Sequence, residues 1–384
     1  MNDLAKKVYN TFKEHYNSEP VMYYSPGRIN FIGEHIDYND GFVMPAAIGK
    51  GIFYAICENN SDTMNYYAID FKEKLTIKIN DIKKSTSWKN YVLSVVNEFL
   101  LLNKELKGFD CVFGGNIANG AGMSSSAAVE GGLAYAINEM NALGLDRKEL
   151  ALLCQRAEHN YPAVNCGIMD QYANMFGKKD QVILLDCKAI ENKYFPLNLD
   201  EYEIVLINSK VHHSLASSAY NERRKQCEEG LEIIKKERGI NSFRDINIQQ
   251  LNELKSKMPE VVFKRCTYVV EEINRTRSAG QFLETGNLIE FGKLMFQTHY
   301  GLRDLYQVSC NELDFLVSEA QKNKAVIGAR LMGGGFGGCT INIVRSESVK
   351  QFTEKSTSEY QKKFQIDPEY YEVQVVDGTQ LLEN

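Results

Sequence analysis

Between Ser25 and Ile48 the chain reads SPGRINFIGEHIDYNDGFVMPAAI, in which Arg28, Glu34, His35, Asp37 and Asp40 stand among Phe31, Ile32, Phe42, Val43 and Met44. A plain surface loop needs no such apolar flanks, so the charged groups are expected to form a polar cluster held against the core. Isolated buried charges are costly and persist when they are paired or when a polar ligand satisfies them. The competing expectation is an ion-paired turn that joins two strands.

A second group of acids lies in QRAEHNYPAVNCGIMDQYANMFG. Glu158 falls near the end of a helix that Pro162 must stop, and Asp170 opens another helical pattern after a turn at Gly167. A carboxylate in a first helical turn is favoured by the macrodipole, which gives Asp170 a purely structural explanation. If Arg28 lies opposite, the pair would instead hold Asp170 ionised and aimed at a substrate hydroxyl. Glu158 offers a hard oxygen and Ser125 a hydroxyl, a combination suited to a Mg²⁺ ion that keeps several waters.

Two glycine-rich loops complete the chemistry-bearing segments. In NIANGAGMSSSAAVEGGLAYAINEM, Gly120 and Gly122 sit between the strand-like FDCVFGG and an apolar-rich helix. Glycines there let the backbone approach a ligand, while Ser124, Ser125 and Ser126 are expected to open the helix as N-caps beside free N–H groups. Such a helix start suits the phosphates of a nucleotide, although an ordinary Ser-capped helix would look the same. No G-x-x-x-x-G-K-[ST] occurs, so P-loop chemistry is not expected. The second loop, LMGGGFGGCTINIVR, satisfies G-x-G-x-x-G through Gly333, Gly335 and Gly338, yet a strand-like run follows where a dinucleotide fingerprint requires a helix. It is expected to be a tight turn or a place of close backbone packing, and could support the first loop.

The elements that must position these residues follow from periodicity. Strand-like runs are Gly51 to Glu58, Met64 to Phe71, Lys74 to Asn80, Phe109 to Asn116, Gln181 to Cys187, Ile204 to Asn208, Thr340 to Val344 and Tyr371 to Val376. Helical spacing follows Trp88, Met123 and Arg147, and charged amphipathic helices dominate from about 215 to 324. The polar stretch KAIENKYFPLNLDEYE reads as a domain boundary. An α+β chain of two domains, 1–198 and 199–384, is expected.

The 384 residues are 44% apolar and 24% charged, enough for sizeable cores, and the net charge of −6 with no basic run argues against nucleic-acid binding. The nine cysteines are odd in number, scattered and free of C-x-x-C spacing, which points to a reducing compartment rather than disulfides or zinc. Leu4, Val8 and Phe12 mark an amphipathic helix rather than a signal peptide, and no run reaches membrane-spanning length. A cytoplasmic protein is expected, a monomer with small-molecule partners and no membrane or nucleic-acid partner.

Together these segments resemble the galactokinases of the GHMP kinase family. PGRINFIGEHIDYNDGFVMPAAI resembles the sugar signature, NGAGMSSSAAVE the phosphate loop and LMGGGFGGCTI the third motif; AEHNYPAVNCGIMDQYANMFG and NSKVHHSLASSAYNERRKQCEE add two further matches. The resemblance implies a two-domain fold, with a mixed sheet in the N-terminal domain and an antiparallel sheet in the α/β C-terminal one. It implies transfer of the ATP γ-phosphoryl group to the C1 hydroxyl of α-D-galactose, the first committed step of galactose catabolism by the Leloir pathway, with ATP and Mg²⁺ as cofactors. Asp170 would be the catalytic aspartate and Arg28 its partner. Glu34, His35, Asp37, Gly167 and Tyr220 would line the sugar pocket. Gly120, Ala121, Gly122, Met123, Ser124, Ser125 and Ser126 would cradle phosphates, Trp88 and Tyr91 would lie near the base, and Ser125 with Glu158 would hold Mg²⁺. Ala118, Met332 and His212 depart from common family residues. The alternatives are another kinase of the family, such as one acting on N-acetylgalactosamine, or a galactose and ATP sensor without turnover.

Overall fold

The computed structural model of the chain describes residues 1–118, 120–211 and 216–383; His212 lies outside them. The first helix, α1 (Asp3–His15), is capped by Asn2, whose side chain accepts from the Ala5 amide, and it buries Val8 and Phe12, one turn apart. There follow β1 (Val21–Asn30), β2 (Phe42–Val43), β3 (Pro45–Glu58), β4 (Thr63–Ala68), β5 (Glu73–Lys78), α2 (Lys89–Leu101), β6 (Phe109–Gly115) and α3 (Ser125–Met140). Next come α4 (Arg147–Asn160), α5 (Met169–Phe176), β7 (Gln181–Asp186), β8 (Glu191–Pro196), β9 (Tyr202–Asn208), α6 (Ala216–Arg238) and α7 (Ile248–Asn252). The chain continues with α8 (Glu260–Glu284), α9 (Leu288–Tyr300), α10 (Asn311–Lys322), β10 (Val326–Leu331), β11 (Cys339–Arg345), α11 (Val349–Phe364), β12 (Glu369–Val373) and β13 (Gln380–Leu381).

Six strands form a mixed sheet in the order β13-β1-β3-β6-β4-β5, in which only β4 and β6 run parallel. Alternation along β1 decides its two faces. Met22 and Tyr24 join α1 in one core, while Tyr23 faces the larger core shared with α2 to α5. An antiparallel sheet in the order β10-β11-β9-β12 carries α10 and α11 against Val205 and Ile207. Its other face, with Ile204, Leu206, Ile341 and Ile343, shares one apolar cluster with Ile29, Phe31, Met44 and Ala46 of the first sheet region. The polar site lies beside this cluster. Antiparallel β2, β7 and β8 form a small third sheet.

The expected α+β architecture is observed, with five strands that the periodicity did not signal, the two-residue β2 among them. β1 contains Pro26 and Gly27, residues that argue against a central strand; the ladder accommodates them through a register shift between these two positions. β8 lies inside the polar stretch read as a domain boundary and pairs with β7 along its whole length. β10 is interrupted by Gly328, which is required because Gly292 of α9 approaches within 2.6 Å of where its Cβ would stand. β13 has two residues and returns the end of the chain to β1. Among the described residues no helix is long and apolar enough to cross a membrane.

Phe12 is fully buried between α1 and the sheet. Phe12→Ala is expected to lower unfolding stability by about 3–5 kcal/mol, the range for truncating a buried aromatic ring, read from urea denaturation.

Candidate active site

The site is built on a clamp between β1 and the first turn of α5. The guanidinium of Arg28 donates from Nε to Asp170 Oδ1 at 2.8 Å and from Nη2 to Asp170 Oδ2 at 3.0 Å, while Nη1 donates to the Gly122 carbonyl. Arg28 is 4% exposed. Burial alone would lower its pKa, but the charges of Asp170 and Glu34 outweigh that and raise it, so the guanidinium stays cationic. Its backbone is fixed as well: the Arg28 amide donates to Met123 O at 3.0 Å, an approach possible because Gly27 has no Cβ.

Gly120 and Gly122 take φ of 69° and 72°, as a turn before α3 demands. Ser124 is not the expected N-cap. It occupies the left-handed region at φ 55°, makes no capping bond, and turns its hydroxyl onto Asp170 Oδ2. The glycine loop and the clamp are thereby one structure. The second glycine loop lies against the first: Met332 O would be 3.1 Å from a Cβ on Gly122, and Gly120 O 3.2 Å from one on Gly338. Close backbone packing is the role observed for it.

A cavity of about 140 Å³ is lined by Arg28, Glu34, His35, Asp37, Glu158, Gly167, Asp170 and Tyr220, so every residue expected at the sugar pocket converges there. Both readings of the Ser25–Ile48 segment hold for Glu34. Its Oε2 accepts from Arg330 Nη2 at 2.7 Å and from the Gly333 amide at 2.9 Å, a fully buried ion pair. Burial would raise Glu34, but Arg330 and then Arg28 hold it below the ordinary carboxylate value. Arg330, missed in the sequence, also donates to Phe31 O at 2.8 Å, and its only signal was a lone arginine before the third motif.

Asp37 begins a 3₁₀ turn, Asp37–Asn39, and a Cβ on Gly167 would lie 2.0 Å from its Oδ2. Only glycine fits there. His35 takes φ 62°; its Nε2 is 3.1 Å from Gly334 O and its Nδ1 2.7 Å from the Tyr38 hydroxyl. A carbonyl can only accept, so Nε2 carries the proton and Nδ1 accepts from Tyr38. Burial lowers His35 to about 4, so the ring is neutral. With both nitrogens occupied it offers the cavity a ring rather than a hydrogen bond, 5.2 Å from the ring of Tyr220. Tyr38 is braced by Tyr306 at 2.9 Å, in a π-helical turn over Gly301–Tyr306.

Glu158, near the end of α4, accepts from Gln171 Nε2 at 2.8 Å and is pushed up to about 7 by burial and then by Asp170. Ser126 acts against that rise, and among the described residues neither Ser125 nor Ser126 meets hydrogen-bond geometry with Glu158. Glu130 of α3, also missed, is fully buried with neither carboxyl oxygen partnered among the described residues. Burial and then Glu158 drive its pKa well up.

A second cavity, of about 520 Å³, is lined by Trp88 and Tyr91 together with Gly120, Ala121, Gly122, Met123, Ser124, Ser125 and Ser126. All the residues expected to hold the nucleotide are therefore found together. Trp88 also has the packing role that its type allowed: it is 4% exposed, edge-on to Phe113 and stacked beside Phe71. Ser124 and Gly122 line this cavity and touch Asp170 and Arg28, which line the smaller one. The clamp therefore stands in the wall of the smaller cavity and is bonded to the wall of the larger one.

Asp37 is pushed up to about 7, first by burial and then by the charges of Asp170 and Glu34. The folded chain thus keeps a proton that the unfolded chain releases near an ordinary pKa of about 4, so the stability gained is present at low pH and lost as pH rises through about 7. Asp37→Asn is expected to raise the melting temperature of the ligand-free protein at pH 8, the gain shrinking as pH falls towards 5, measured by differential scanning fluorimetry.

Comparison with known proteins agrees with this geometry. Residues 10–58 match the galactokinase galactose-binding signature, 90–178 the GHMP kinases N terminal domain and 279–362 the GHMP kinases C terminal family. The chain is 40% identical to a galactokinase of Clostridium acetobutylicum over 98% of both chains, and 38% identical to one of Thermotoga neapolitana over 93% of this chain and 98% of the relative. It superposes on the crystal structure of Lactococcus lactis galactokinase complexed with galactose with a TM-score of 0.95 and 32% identity, covering 98% of this chain and 99% of that one. Methanococcus jannaschii mevalonate kinase, at 19% identity and a TM-score of 0.64 over 94% of this chain and all of its own, shares the fold. With its signature motifs gathered around one clamp and its full length matched, the chain belongs to the galactokinases of the GHMP kinase family.

Proposed function

We propose that the chain phosphorylates α-D-galactose at its C1 hydroxyl, with the small cavity holding the sugar, the larger one holding ATP, and the Arg28–Asp170 clamp between them acting on the hydroxyl. The observation that carries this assignment is that the clamp lines the small cavity and is hydrogen-bonded to Gly122 and Ser124, which line the larger one. In the same reading the chain divides into units 1–198 and 199–384, apart from β13, and acts as a cytoplasmic monomer.

A carboxylate has about four lone-pair sites. Arg28 Nε occupies one on Oδ1, while Arg28 Nη2 and Ser124 share Oδ2, so Oδ1 retains room for a sugar hydroxyl. Asp170 Oδ1 accepts the proton of that hydroxyl, whose oxygen attacks the γ-phosphorus as ADP leaves. Arg28 orients Asp170 and is itself a buried cation beside the charge that develops on the phosphoryl oxygens. Asp37 and the free Oε1 of Glu34 accept from the remaining sugar hydroxyls. The backbone from Gly120 to Ser126 cradles the phosphates at the start of α3, and Trp88 and Tyr91 wall the base.

The buried carboxyl of Glu158, raised towards neutrality, and the unpartnered Glu130 beside it suit a divalent cation, which needs one or two carboxylates in addition to phosphate oxygens. Glu158 would hold Mg²⁺ together with the Ser125 hydroxyl that the phosphate-loop motif implies. The ion would neutralise phosphate charge. Glu158→Ala is expected to raise the Mg²⁺ concentration for half-maximal activity and to weaken Mn²⁺ binding read by electron paramagnetic resonance.

Sugar-dependent ADP release with MgATP, compared for galactose, N-acetylgalactosamine, glucose and mevalonate, tests the acceptor. Turnover with galactose alone supports the assignment; turnover with another acceptor places the chain elsewhere in the family, and galactose binding without turnover indicates a sensor. Asp170→Asn is expected to retain galactose binding and to lower kcat by roughly 10²- to 10⁴-fold.

A further inference from the structure

Four residues after Asp170, on the same face of α5, Asn174 is 1% exposed and makes contacts that extend beyond its own helix. Its Nδ2 donates to Ser25 Oγ at 2.9 Å and to Pro26 O at 2.6 Å, both on β1. Its Oδ1 accepts from Thr379 Oγ1 at 2.7 Å, and the Ser25 and Thr379 hydroxyls are 3.1 Å apart. Since the Thr379 proton goes to Asn174, the Ser25 hydroxyl donates to Thr379. The result is a closed ring of hydrogen bonds, Thr379 to Asn174 to Ser25 and back to Thr379, with Ser25 and Thr379 fully buried.

The ring bears on the clamp through the irregularity in β1. Pro26 faces Gly51 across the ladder just before the register shift that precedes Gly27 and Arg28. Gly51 gives its N–H to Asn116 Oδ1, and the Pro26 carbonyl is taken by Asn174. Asn174 therefore pins the bend that aims Arg28, while Asp170, one turn along the same helix, receives Arg28. The end of the chain closes the ring: the Thr379 amide donates to Asn174 O at 2.8 Å, and the Gly378 amide to Gly177 O at 2.8 Å. Gly131 of α3 leaves the space that the carboxamide fills, because a Cβ there would lie 2.0 Å from Asn174 Oδ1.

We infer that Asn174, locked by Ser25 and by Thr379 just before β13, is a positioning residue that sets the register of Arg28 against Asp170. This rests on the assignment of that pair as the catalytic clamp. A fully satisfied buried network rigidifies what it joins, and here it joins the strand of one clamp member to the helix of the other. Displacement of a catalytic group by about 1 Å can cost roughly 10²-fold in rate without loss of binding.

The experiment is steady-state kinetics on the full chain for Asn174→Ala, Thr379→Val, Thr379→Ser and Asp170→Asn. Asn174→Ala is expected to lower kcat by about 10- to 100-fold, and the near-isosteric Thr379→Val less, with KM for galactose and ATP within about twofold of the parent. Thr379→Ser, which keeps the hydroxyl, is expected to restore kcat. Active-site titration and melting curves correct for folded fraction, and if Asn174→Ala does not fold, the threonine pair carries the test. Unchanged kcat in Thr379→Val, or a loss explained by the active fraction or not restored in Thr379→Ser, would overturn the inference while Asp170→Asn remains inactive. Full activity of Asp170→Asn would instead overturn the clamp assignment on which it rests.

Discussion

A guanidinium taken out of water is the constraint around which this molecule is arranged. The penalty for burying an ion is several kcal/mol even after relaxation, and it is offset only when geometry is good and the remaining donors are satisfied. Arg28 meets that condition by drawing three separate parts of the chain to one point: the start of α5, the glycine loop before α3, and its own bent strand. Arg330 repeats the solution nearby with Glu34 and the carbonyls of Phe31 and Leu331. The two cations fasten β1, α5, β10 and both glycine loops, so satisfying buried charge and assembling the site are one process.

The acids around these cations exceed them. Glu34, Asp37, Glu158 and Asp170 line one small cavity with Arg28, and Glu130 lies behind. Where an arginine is in contact the carboxyl is stabilised as an anion, as in Glu34; where none is, burial wins and Asp37 and Glu158 are pushed up to about 7. Burial and mutual repulsion thus act against full ionisation of the carboxyls Asp37 and Glu158. The carboxyls that line the cavity are therefore also ones through which folding stability is coupled to pH.

Much of the site was legible because its chemistry is local in sequence. Glycines before serines and a helix, an acid after Pro162 and Gly167, and a charged run with apolar flanks each carry their signal within a dozen residues, and all converge. What could not be read depends on partners far along the chain. β1 looked unlike a strand because Pro26 and Gly27 are penalised by rules for regular ladders, and only Asn174, nearly 150 positions on, shows how the bend is satisfied. Ser124 looked like a helix cap because its type and place fit one, whereas the nearby Asp170 captures its hydroxyl.

The second glycine loop shows why motif and context must be weighed together. Its literal G-x-G-x-x-G leads into β11, not a helix, and its glycines face another backbone rather than a helix-start phosphate site. Gly335 would set a Cβ 2.1 Å from Val308 O, and Gly337 one 2.1 Å from Val211 O. The same loop gives its Gly333 amide to Glu34 and its Gly334 carbonyl to His35. One run of glycine therefore lets three backbone segments meet where side chains would hold them apart, and spends its freed N–H and C=O groups on fixing two residues of the small cavity. Its absence of side chains is what permits the first glycine loop, the Ser25–Ile48 segment and the C-terminal sheet to share a single polar centre.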